Sequence, residues 1–486
     1  MSDAPAPSMA RRAASGVAWS TAEMVGTQVI SLVIFTVLAR WVTPREFGVI
    51  STCYAFIFSL KTLLIDNISF VTTRKKNPTD LDYSTTFWLT FALSLFLSAV
   101  LFASAGTIEA VMDVPDLAHV THAMAWILLF IGLSRTHEQR LARTFQYRSL
   151  VIRSLGGGLI GGAVGLPVAM AGHGLEALVV QQITTSVSSL VLLWLASSWR
   201  PAFGLSRETV RETWHFMLTA MPTSATNVLV QNTDTLLVAY AFGPVAVGYY
   251  SIAKRLRMAL HTAFGTPFNS VGYSVLAEAQ DDPARLKSSL DGMLSSIMVV
   301  CTPAFVGAAA LSSDLIVTAF GPRWAEAAPV FSDLAIAGLF VVVQTGISGL
   351  FTVKRRQIWN FYASIAQLAL SVVFFALVYA LGSQRVGLPF ALPAIAAMPL
   401  FCYLTARLVP FSLGDVWRIA GYPLLGGAVM YGALAMLRDH LALAPIPRLV
   451  VLCAVGAVVY AAFIALTKPD DIRRIVALVR HRRKAA

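Results

Sequence analysis

Long apolar segments separated by short polar breaks run along almost the whole chain. Two of them read TFWLTFALSLFLSAVLFASAG (86–106) and LVVLCAVGAVVYAAFIAL (449–466). About 20 apolar residues are needed for a helix to cross the hydrocarbon core of a bilayer. Cutting the chain at its polar and Pro/Gly-rich breaks predicts fourteen helices, near 16–42, 46–70, 84–106, 118–136, 150–171, 174–198, 213–241, 245–273, 288–310, 325–353, 357–381, 387–408, 416–436 and 447–467. Between the ninth and tenth, residues 310–325 predict a loop with a short helix.

This pattern predicts an all-α polytopic membrane protein, and the composition agrees. Hydrophobic residues make up 57% of the 486 residues and charged residues only 13%, whereas soluble domains carry about a quarter charged residues. The alternative, a large soluble helical protein, does not fit so few charges. No connection between predicted helices exceeds about 20 residues, which excludes a soluble domain or an ATPase cassette.

Two stretches 200 residues apart resemble each other. VLARWVTPREFGVIS (37–51) and LVAYAFGPVAVGYYS (237–251) share Ala, Pro, Gly and Ser at matching positions. A polar stripe spaced four residues apart accompanies each stretch: Glu23, Thr27 and Ser31 in helix 1, and Thr223, Asn227 and Gln231, followed by Asp234, in helix 7. We therefore predict two homologous six-helix lobes of the same orientation, with two further C-terminal helices.

The predicted domains are a cytoplasmic N-tail (1–15), an N-lobe (16–200), a C-lobe (201–410), helices 13 and 14 (411–467) and a basic cytoplasmic tail (468–486). Two such lobes are expected to leave a central cavity between them, and the polar stripes on helices 1 and 7 are expected to face it, because a polar stripe facing lipid is costly. Hydrogen bonding of these side chains to neighbouring helices is the alternative explanation of the stripes.

The positive charge of the chain is unevenly distributed between alternate connections. The net charge is +12, and 27 Lys and Arg residues fall in the tails and the even-numbered loops, against six in the odd-numbered loops. Basic loops stay on the cytoplasmic side, so both termini are predicted to be cytoplasmic. The excess charge then indicates topology and contact with anionic lipid headgroups, and no nucleic-acid partner is expected.

Four basic residues are predicted to lie inside membrane-spanning helices. Lys61 lies in helix 2, and Lys254, Arg255 and Arg257 lie in helix 8. Lys254, Arg257 and His261 share one helical face with Tyr250, while Arg255 lies about 100° away around the helix. This face is suited to an anion, because guanidinium groups bind phosphate oxygens in pairs. The alternative is internal neutralisation by Glu23, Asp66 or Asp234.

Other chemistry is not indicated by the sequence. The four cysteines (Cys53, Cys301, Cys402 and Cys453) all lie in apolar segments, so a disulfide framework is not expected. No metal-ligand cluster, nucleophile triad or pair of catalytic carboxylates is recognised, so no cofactor, metal or enzymatic activity is predicted.

Three motifs resemble those of a known family. LARWVTPREFGVISTCYAFI (38–57) looks like the junction of helices 1 and 2 in Wzx-type polysaccharide flippases, the polysaccharide-transporter branch of the multidrug/oligosaccharidyl-lipid/polysaccharide exporter superfamily. NTDTLLVAYAFGPVAVGYYSIAKRL (232–256) resembles their helix 7–8 signature, with Ala239 where that pattern often has Gly. GPRWAEAAPVFSDLA (321–335) resembles the motif before helix 10. The likeness covers about residues 11–420.

The resemblance implies a flippase in the bacterial inner membrane. It would translocate undecaprenyl-diphosphate-linked oligosaccharide repeat units by alternating access, for exopolysaccharide, capsule or O-antigen synthesis. Carried over to this chain, it places Lys61, Lys254, Arg255 and Arg257 around the diphosphate or an acidic sugar, and Asp234 at a matching motif position, with a role in ion coupling or in lobe pairing. His261 joins the predicted binding site because it shares the helical face of Lys254 and Arg257. A polysaccharide polymerase and assembly proteins would be partners. The alternatives are a small-molecule exporter of the same superfamily, a membrane polymerase or ligase acting on lipid-linked sugars, and a scaffold.

Overall fold

The computed structural model describes residues 9–383, 385–441 and 443–468, and its elements are helices. In chain order they are α1 (Met9–Leu38), α2 (Pro44–Leu60), α3 (Asp66–Arg74), α4 (Asp80–Met112), α5 (Leu117–Met124), α6 (Trp126–Arg143), α7 (Tyr147–Met170), α8 (Gly174–Ala196), α9 (Arg207–Leu260), α10 (Thr266–Glu278), α11 (Pro283–Ala310), α12 (Ser312–Phe320), α13 (Ala327–Val353), α14 (Gln357–Ala380), α15 (Leu388–Ala396), α16 (Met398–Ala406), α17 (Leu413–Arg438) and α18 (Pro445–Thr467). Two π-helical turns, Lys61–Ile65 and His261–Gly265, join α2 to α3 and α9 to α10.

The apolar helices identify a multi-pass membrane protein. Among the described residues, twelve helical segments are long and apolar enough to cross a membrane, and a shorter apolar helix covers Ala22–Leu38. One of the twelve, Arg207–Glu278, is 72 residues long and contains a break at Gly243, whose φ of 76° lies in the left-handed region. The all-α membrane fold is confirmed, while the total of fourteen spans stays a prediction. The short helix α12 lies where a loop with a short helix is predicted.

The chain separates into two compact units, Met1–Gly248 and Tyr249–Ala486. The boundary falls inside α9, five residues after the break at Gly243. The lobe limits given by the sequence, 16–200 and 201–410, stay a prediction.

Backbone features inside the two units repeat with nearly constant spacing. The π-helical turns begin at Lys61 and His261, 200 residues apart. Further along, positive φ angles recur at Phe145 (57°) and Arg355 (55°). They recur again at Gly172 (88°) and Gly382 (66°), both pairs being 210 residues apart. Only the Gly172 and Gly382 pair keeps its residue type, so the backbone retains the internal repeat at positions where the sequence mostly does not.

In the first unit, polar side chains fix the start of α9 to α4. The Lys75 ammonium group lies 3.0 Å from an Asp82 oxygen and 3.1 Å from a Glu212 oxygen, and it donates to Thr209 at 3.1 Å. Thr209 also donates to Asp82. Burial alone would lower the pKa of Lys75, but its hydrogen bonds to Asp82 and Glu212 raise that pKa above its ordinary value. This cluster positions the helix that carries Asn227 and Gln231.

The two Pro-x-x-x-Gly stretches also meet within the first unit. A Cβ atom at Gly48 would overlap the carbonyl oxygen of Pro244, and a Cβ atom at Gly248 would overlap that of Pro44. Each glycine therefore lets a helix approach the backbone at the first turn of the other stretch. Small residues serve this purpose where helices pack in membranes.

The second unit is built around a continuous apolar core between α11 and α13. Buried residues of α11, such as Ile297 and Phe305, pack with buried residues of α13, such as Leu339 and Leu350. The core extends to α16 and α17. The same helix α13 packs against α11 and contacts α9, where Gly338 lies beside Arg257.

Two arginines counted with the cytoplasmic loops lie inside helices. The predicted helices 118–136 and 150–171 already contain Arg135 and Arg153, and in the structure α6 continues to Arg143 and α7 begins at Tyr147. The helices can continue through these residues because both guanidinium groups are paired with carboxylates. More than four basic side chains therefore lie within the candidate spans.

Candidate functional site

A polar face of α9 is exposed in the first unit. Thr223, Asn227 and Gln231 are all exposed and follow one another at intervals of four residues, which places them on one side of a helix. Elsewhere on the same helix, Asn232 donates to Ser59 at 3.2 Å. The side of α9 that holds Asn232 therefore packs against α2. The stripe predicted on helix 7, which is Thr223, Asn227 and Gln231 of α9, lies outside this packed side and is accessible.

Ser224 provides a second fixed point of α9, donating to Asn67 at 3.0 Å. On α1, Thr27 is exposed and Glu23 is partly buried. Asp234 is partly buried, and one of its carboxylate oxygens accepts from the backbone N–H of Thr235 at 2.7 Å.

Six charged side chains form a continuous chain of ion pairs inside the first unit. Its links are Lys61–Asp66 at 3.1 Å, Asp66–Arg135 at 3.0 Å, Arg135–Glu138 at 2.9 Å, Glu138–Arg153, and Arg153–Glu23 at 4.0 Å. All six side chains are less than one third exposed. Three bases face three acids, so the network is neutral as a whole.

This network joins two of the predicted site residues, Lys61 and Glu23, through Asp66 and three further residues that the sequence did not single out. Arg135, Glu138 and Arg153 lie on α6 and α7. The spacing of Arg135 and Glu138, three residues apart, is a local signal for an ion pair on a helix. The partners on other helices have no such signal, since tertiary packing brings them together.

A π-helical turn places Lys61 opposite Asp66. The backbone N–H of Asp66 donates to the carbonyl of Lys61, five residues earlier. In a regular α-helix, residues five apart point about 140° away from each other. The wider turn removes this offset. The equivalent turn in the second unit begins at His261 and is followed by Thr266, whose hydroxyl donates to the His261 carbonyl at 3.4 Å.

The second unit carries the predicted cationic face of helix 8. Tyr250 is buried against Phe390, with the ring centroids 5.2 Å apart. The Lys254 ammonium group lies 6.0 Å from the centre of the Tyr250 ring, within reach of a cation–π contact. Arg257 and His261 continue this face one and two turns further along, and all three polar residues are partly buried.

The aliphatic stem of Arg257 is fixed by α13. A Cβ atom at Gly338 would lie 3.1 Å from Cγ of Arg257 and 2.6 Å from a ring carbon of Phe305. Gly338 thus creates the room in which the stem lies, beside the buried Phe305 ring. Within the described residues, the Arg257 guanidinium group forms no hydrogen bond or ion pair. Its donors are therefore available to a ligand.

The predicted site residues thus fall into two sets. Lys61 and Glu23 belong to the neutral network of the first unit, and Asn227 and Gln231 to the exposed face of α9. Lys254, Arg257 and His261 share one face in the second unit, and Arg255 is partly buried beside it. In the described part of the chain, no group of three or more His, Cys, Asp or Glu side chains is arranged to hold a metal ion.

Comparison with known proteins gives one family and several relatives. The family described as "Polysaccharide biosynthesis protein" matches residues 37–329. The teichuronic acid biosynthesis protein TuaB of Bacillus subtilis (strain 168) is 21% identical, over 97% of this chain and 99% of that protein. The succinoglycan biosynthesis transport protein ExoT of Rhizobium meliloti (strain 1021) is 23% identical, over 98% and 97%. The lipopolysaccharide biosynthesis protein WzxC of Escherichia coli (strain K12) is 23% identical, over 72% and 71%.

Solved structures with the same fold are transporters. The lipid II flippase MurJ in an inward closed conformation superimposes with a TM-score of 0.75 at 13% identity, covering 94% of this chain and all of that chain. An inward-facing multidrug resistance transporter of the MATE family gives a TM-score of 0.61 at 12% identity, covering 79% and 94%. At these identities the likeness establishes the two-lobed multispan fold.

Proposed function

Because this chain belongs to the polysaccharide biosynthesis protein family, we propose that it translocates lipid-linked oligosaccharide repeat units across a membrane. Its relatives ExoT and WzxC are named for transport and for lipopolysaccharide biosynthesis, and the match to MurJ supplies a fold that a lipid-linked substrate can use. The expected substrate carries a sugar chain on undecaprenyl diphosphate, and the expected site of action is the bacterial inner membrane with both termini cytoplasmic.

The observation that supports this function most is the placement of Arg257. A charged side chain at the centre of a membrane helix costs about 2.5–3.5 kcal/mol on insertion scales. Such a cost is offset by water in a cavity or by an anion. Arg257 has its stem fixed by Gly338 and its guanidinium group available, on the same face as Lys254 and His261. A diphosphate is the part of the substrate that matches this face, since guanidinium groups bind phosphate oxygens bidentately.

The two sets of site residues suggest a division of roles. Lys254, Arg257 and His261 would hold the diphosphate, with Arg255 beside them. The uncharged amides of Asn227 and Gln231 would hydrogen-bond to sugar hydroxyls. Lys61 already pairs with Asp66 at 3.1 Å, so we assign it a secondary part in substrate binding. It would belong to a polar surface that carries no net charge.

Transport requires that the cationic face open to each side of the membrane in turn. We expect alternating access between inward and outward states, with the same side chains holding the headgroup in both. The remainder of the pathway, a polymerase and assembly proteins, would receive the translocated unit on the outer side.

Other functions fit the site less well. Export of small organic cations would bring a positive ligand to a face formed by Lys254 and Arg257, where like charges repel. A polymerase or ligase needs groups that perform chemistry on the sugar, and the residues assembled here are suited to binding.

Deletion of the gene tests the proposed function. A strain without the protein is expected to accumulate lipid-linked repeat units on the cytoplasmic leaflet and to lose surface polymer. Completed polymer at the cell surface of the deletion strain, in a background with no second flippase, would contradict the proposal.

A further inference from the structure

A cavity in the second unit lies away from the residues discussed above. Its volume is about 750 Å³, and it lies where α11 and α17 begin and α18 ends. Its lining combines charged side chains with a few small and apolar ones. The charged members are Lys287, Asp291, Asp415, Arg418 and Lys468.

Four of these charges form a closed ring of ion pairs. Lys287 lies 3.0 Å from Asp291 and 3.2 Å from Asp415. Arg418 lies 2.8 Å from the same two carboxylates. The ring is neutral, so Lys468 gives the lining one positive charge in excess.

The two signs of charge are not equally accessible. The Asp291 and Asp415 side chains are only 21% and 16% exposed, whereas Arg418 is 59% exposed. Moreover, Arg418 reaches both carboxylates through one nitrogen, Nη2. A guanidinium group has five N–H donors, so the donors on its other two nitrogens remain available to a ligand in the cavity.

Lys468 adds the second cation at the rim. Its ammonium nitrogen lies 4.3 Å from the centre of the Tyr422 ring, and the Tyr422 hydroxyl is 3.1 Å from that of Ser295. The Tyr422 ring therefore keeps the Lys468 ammonium group near the cavity, and among the described residues no carboxylate pairs with it. Gly292, another lining residue, leaves open space, since a Cβ atom there would meet nothing within 4 Å.

Exposed apolar side chains stand next to lining residues in the chain. Trp417, next to Arg418, is 69% exposed, and Leu466, near the end of α18, is 86% exposed. Tryptophan is enriched where the hydrocarbon region meets the headgroups. An apolar surface therefore adjoins a polar cavity with accessible cations, which is the arrangement that a phospholipid requires.

We propose that this cavity binds the phosphate headgroup of an anionic membrane phospholipid, with Arg418 and Lys468 contacting the phosphate and the acyl chains lying along the exposed apolar face near Leu466. The ion-pair ring with Lys287 holds Arg418 in position. The site does not depend on the proposed transport function, because none of its residues belongs to the cationic face of α9.

The test is native mass spectrometry of the purified full chain with phosphatidylglycerol, phosphatidylcholine or inorganic phosphate. The variant is Arg418→Gln combined with Lys468→Gln, in which Lys287 still pairs with both carboxylates. The matched control is Arg356→Gln combined with Arg407→Gln, which removes two exposed positive charges from the same unit. We expect the wild type and the control to retain phosphatidylglycerol in preference to phosphatidylcholine, and the variant to bind it at least tenfold more weakly.

Equal retention of phosphatidylglycerol by the variant and the control would overturn the proposal. Displacement of the lipid by millimolar inorganic phosphate would overturn the choice of a lipid as the source of the phosphate. An unfolded variant is recognised by its thermal unfolding profile, and Arg418→Lys then replaces it. We expect Arg418→Lys to keep the charge but to bind phosphatidylglycerol several-fold more weakly, because it loses the guanidinium fork; wild-type affinity in Arg418→Lys would contradict the assignment.

Discussion

Lys61 and Asp66 form an ion pair of 3.1 Å across a π-helical turn. Asp66 also contacts Arg135 at 3.0 Å. Through Arg135, the Lys61–Asp66 pair joins a neutral network that reaches Glu23 on α1. In the second unit the corresponding turn begins at His261 and is preceded by Arg257, with no acid following at the position of Asp66. The two halves thus share a backbone irregularity but use it for different charge arrangements.

The first prediction separates a structural role of Lys61 from a direct role in substrate binding. Asp66→Asn leaves Lys61 without its carboxylate, and breaking a buried pair should lower the free energy of unfolding by on the order of 3 kcal/mol. The double variant Lys61→Gln with Asp66→Asn removes both charges, so we expect it to recover most of the stability and polymer export. Thermal unfolding in detergent and surface polymer are measured together. A stable double variant that exports nothing would show that the Lys61–Asp66 pair takes part in transport beyond its structural role.

The second prediction concerns the room that Gly338 leaves for Arg257. In Gly338→Ala the new methyl group would lie 2.6 Å from the Phe305 ring and 3.1 Å from Cγ of Arg257, so the buried Phe305 ring must shift and the arginine stem must move by a few tenths of an ångström. We expect export to fall several-fold, with a stability loss of about 1–3 kcal/mol. Gly349→Ala on the same helix is the control, because its methyl group meets only Tyr273 at 4.0 Å. Equal export by the two variants would contradict a precise position for Arg257.

The third prediction tests the close approach of the two repeated turns. Gly48→Ala and Gly248→Ala each place a methyl group against a backbone carbonyl, that of Pro244 or Pro44, and backbone does not give way as a side-chain end does. Each variant should therefore lose stability by roughly 1–3 kcal/mol. Gly106→Ala, where nothing lies within 4 Å, should be neutral. Thermal unfolding of the three variants is the measurement, and a loss in Gly106→Ala equal to that in Gly48→Ala would refute the explanation.

The fourth prediction fixes the topology of the second unit. The exposed positions Asp281 and Ala325 lie beyond opposite ends of α11, a helix of 28 residues and thus about 42 Å long. In a chain without its four cysteines, Asp281→Cys should react with a membrane-impermeant thiol reagent only after the cytoplasmic side is opened. Ala325→Cys should react in intact cells whose outer membrane has been made permeable. Reaction of both positions from one side would overturn the predicted orientation.

The helices and the repeat follow from local sequence, which explains why they could be predicted. Apolar segments such as 86–106 identify spans by length alone, and Pro44 and Pro244 mark helix starts that the structure retains at Pro44 and at the break beside Gly243. The α9 stripe was also predictable, because the spacing of Asn227 and Gln231 is a local property.

The ion-pair network could not be read from the sequence in the same way. Arg135 and Arg153 lie near the ends of predicted helices beside other arginines, and only their contacts with Asp66, Glu138 and Glu23 show how their charges are balanced there. The π-helical turns have no sequence signal either, since TLLI after Lys61 and TAFG after His261 have little in common. Gly338 is one of many glycines in apolar segments, and its role depends on a side chain 81 residues away.

The measurement that tests the central claim most directly is translocation in proteoliposomes of a fluorescent undecaprenyl-diphosphate oligosaccharide. It compares the wild type, Lys254→Gln combined with Arg257→Gln, and the control Arg356→Gln combined with Arg407→Gln, which removes the same number of charges from exposed positions. The account predicts that the wild type and the control move the lipid, and that the α9 variant, though folded and inserted, moves it at least tenfold more slowly. Translocation by the α9 variant at the rate of the control would contradict a cationic headgroup site at Lys254 and Arg257.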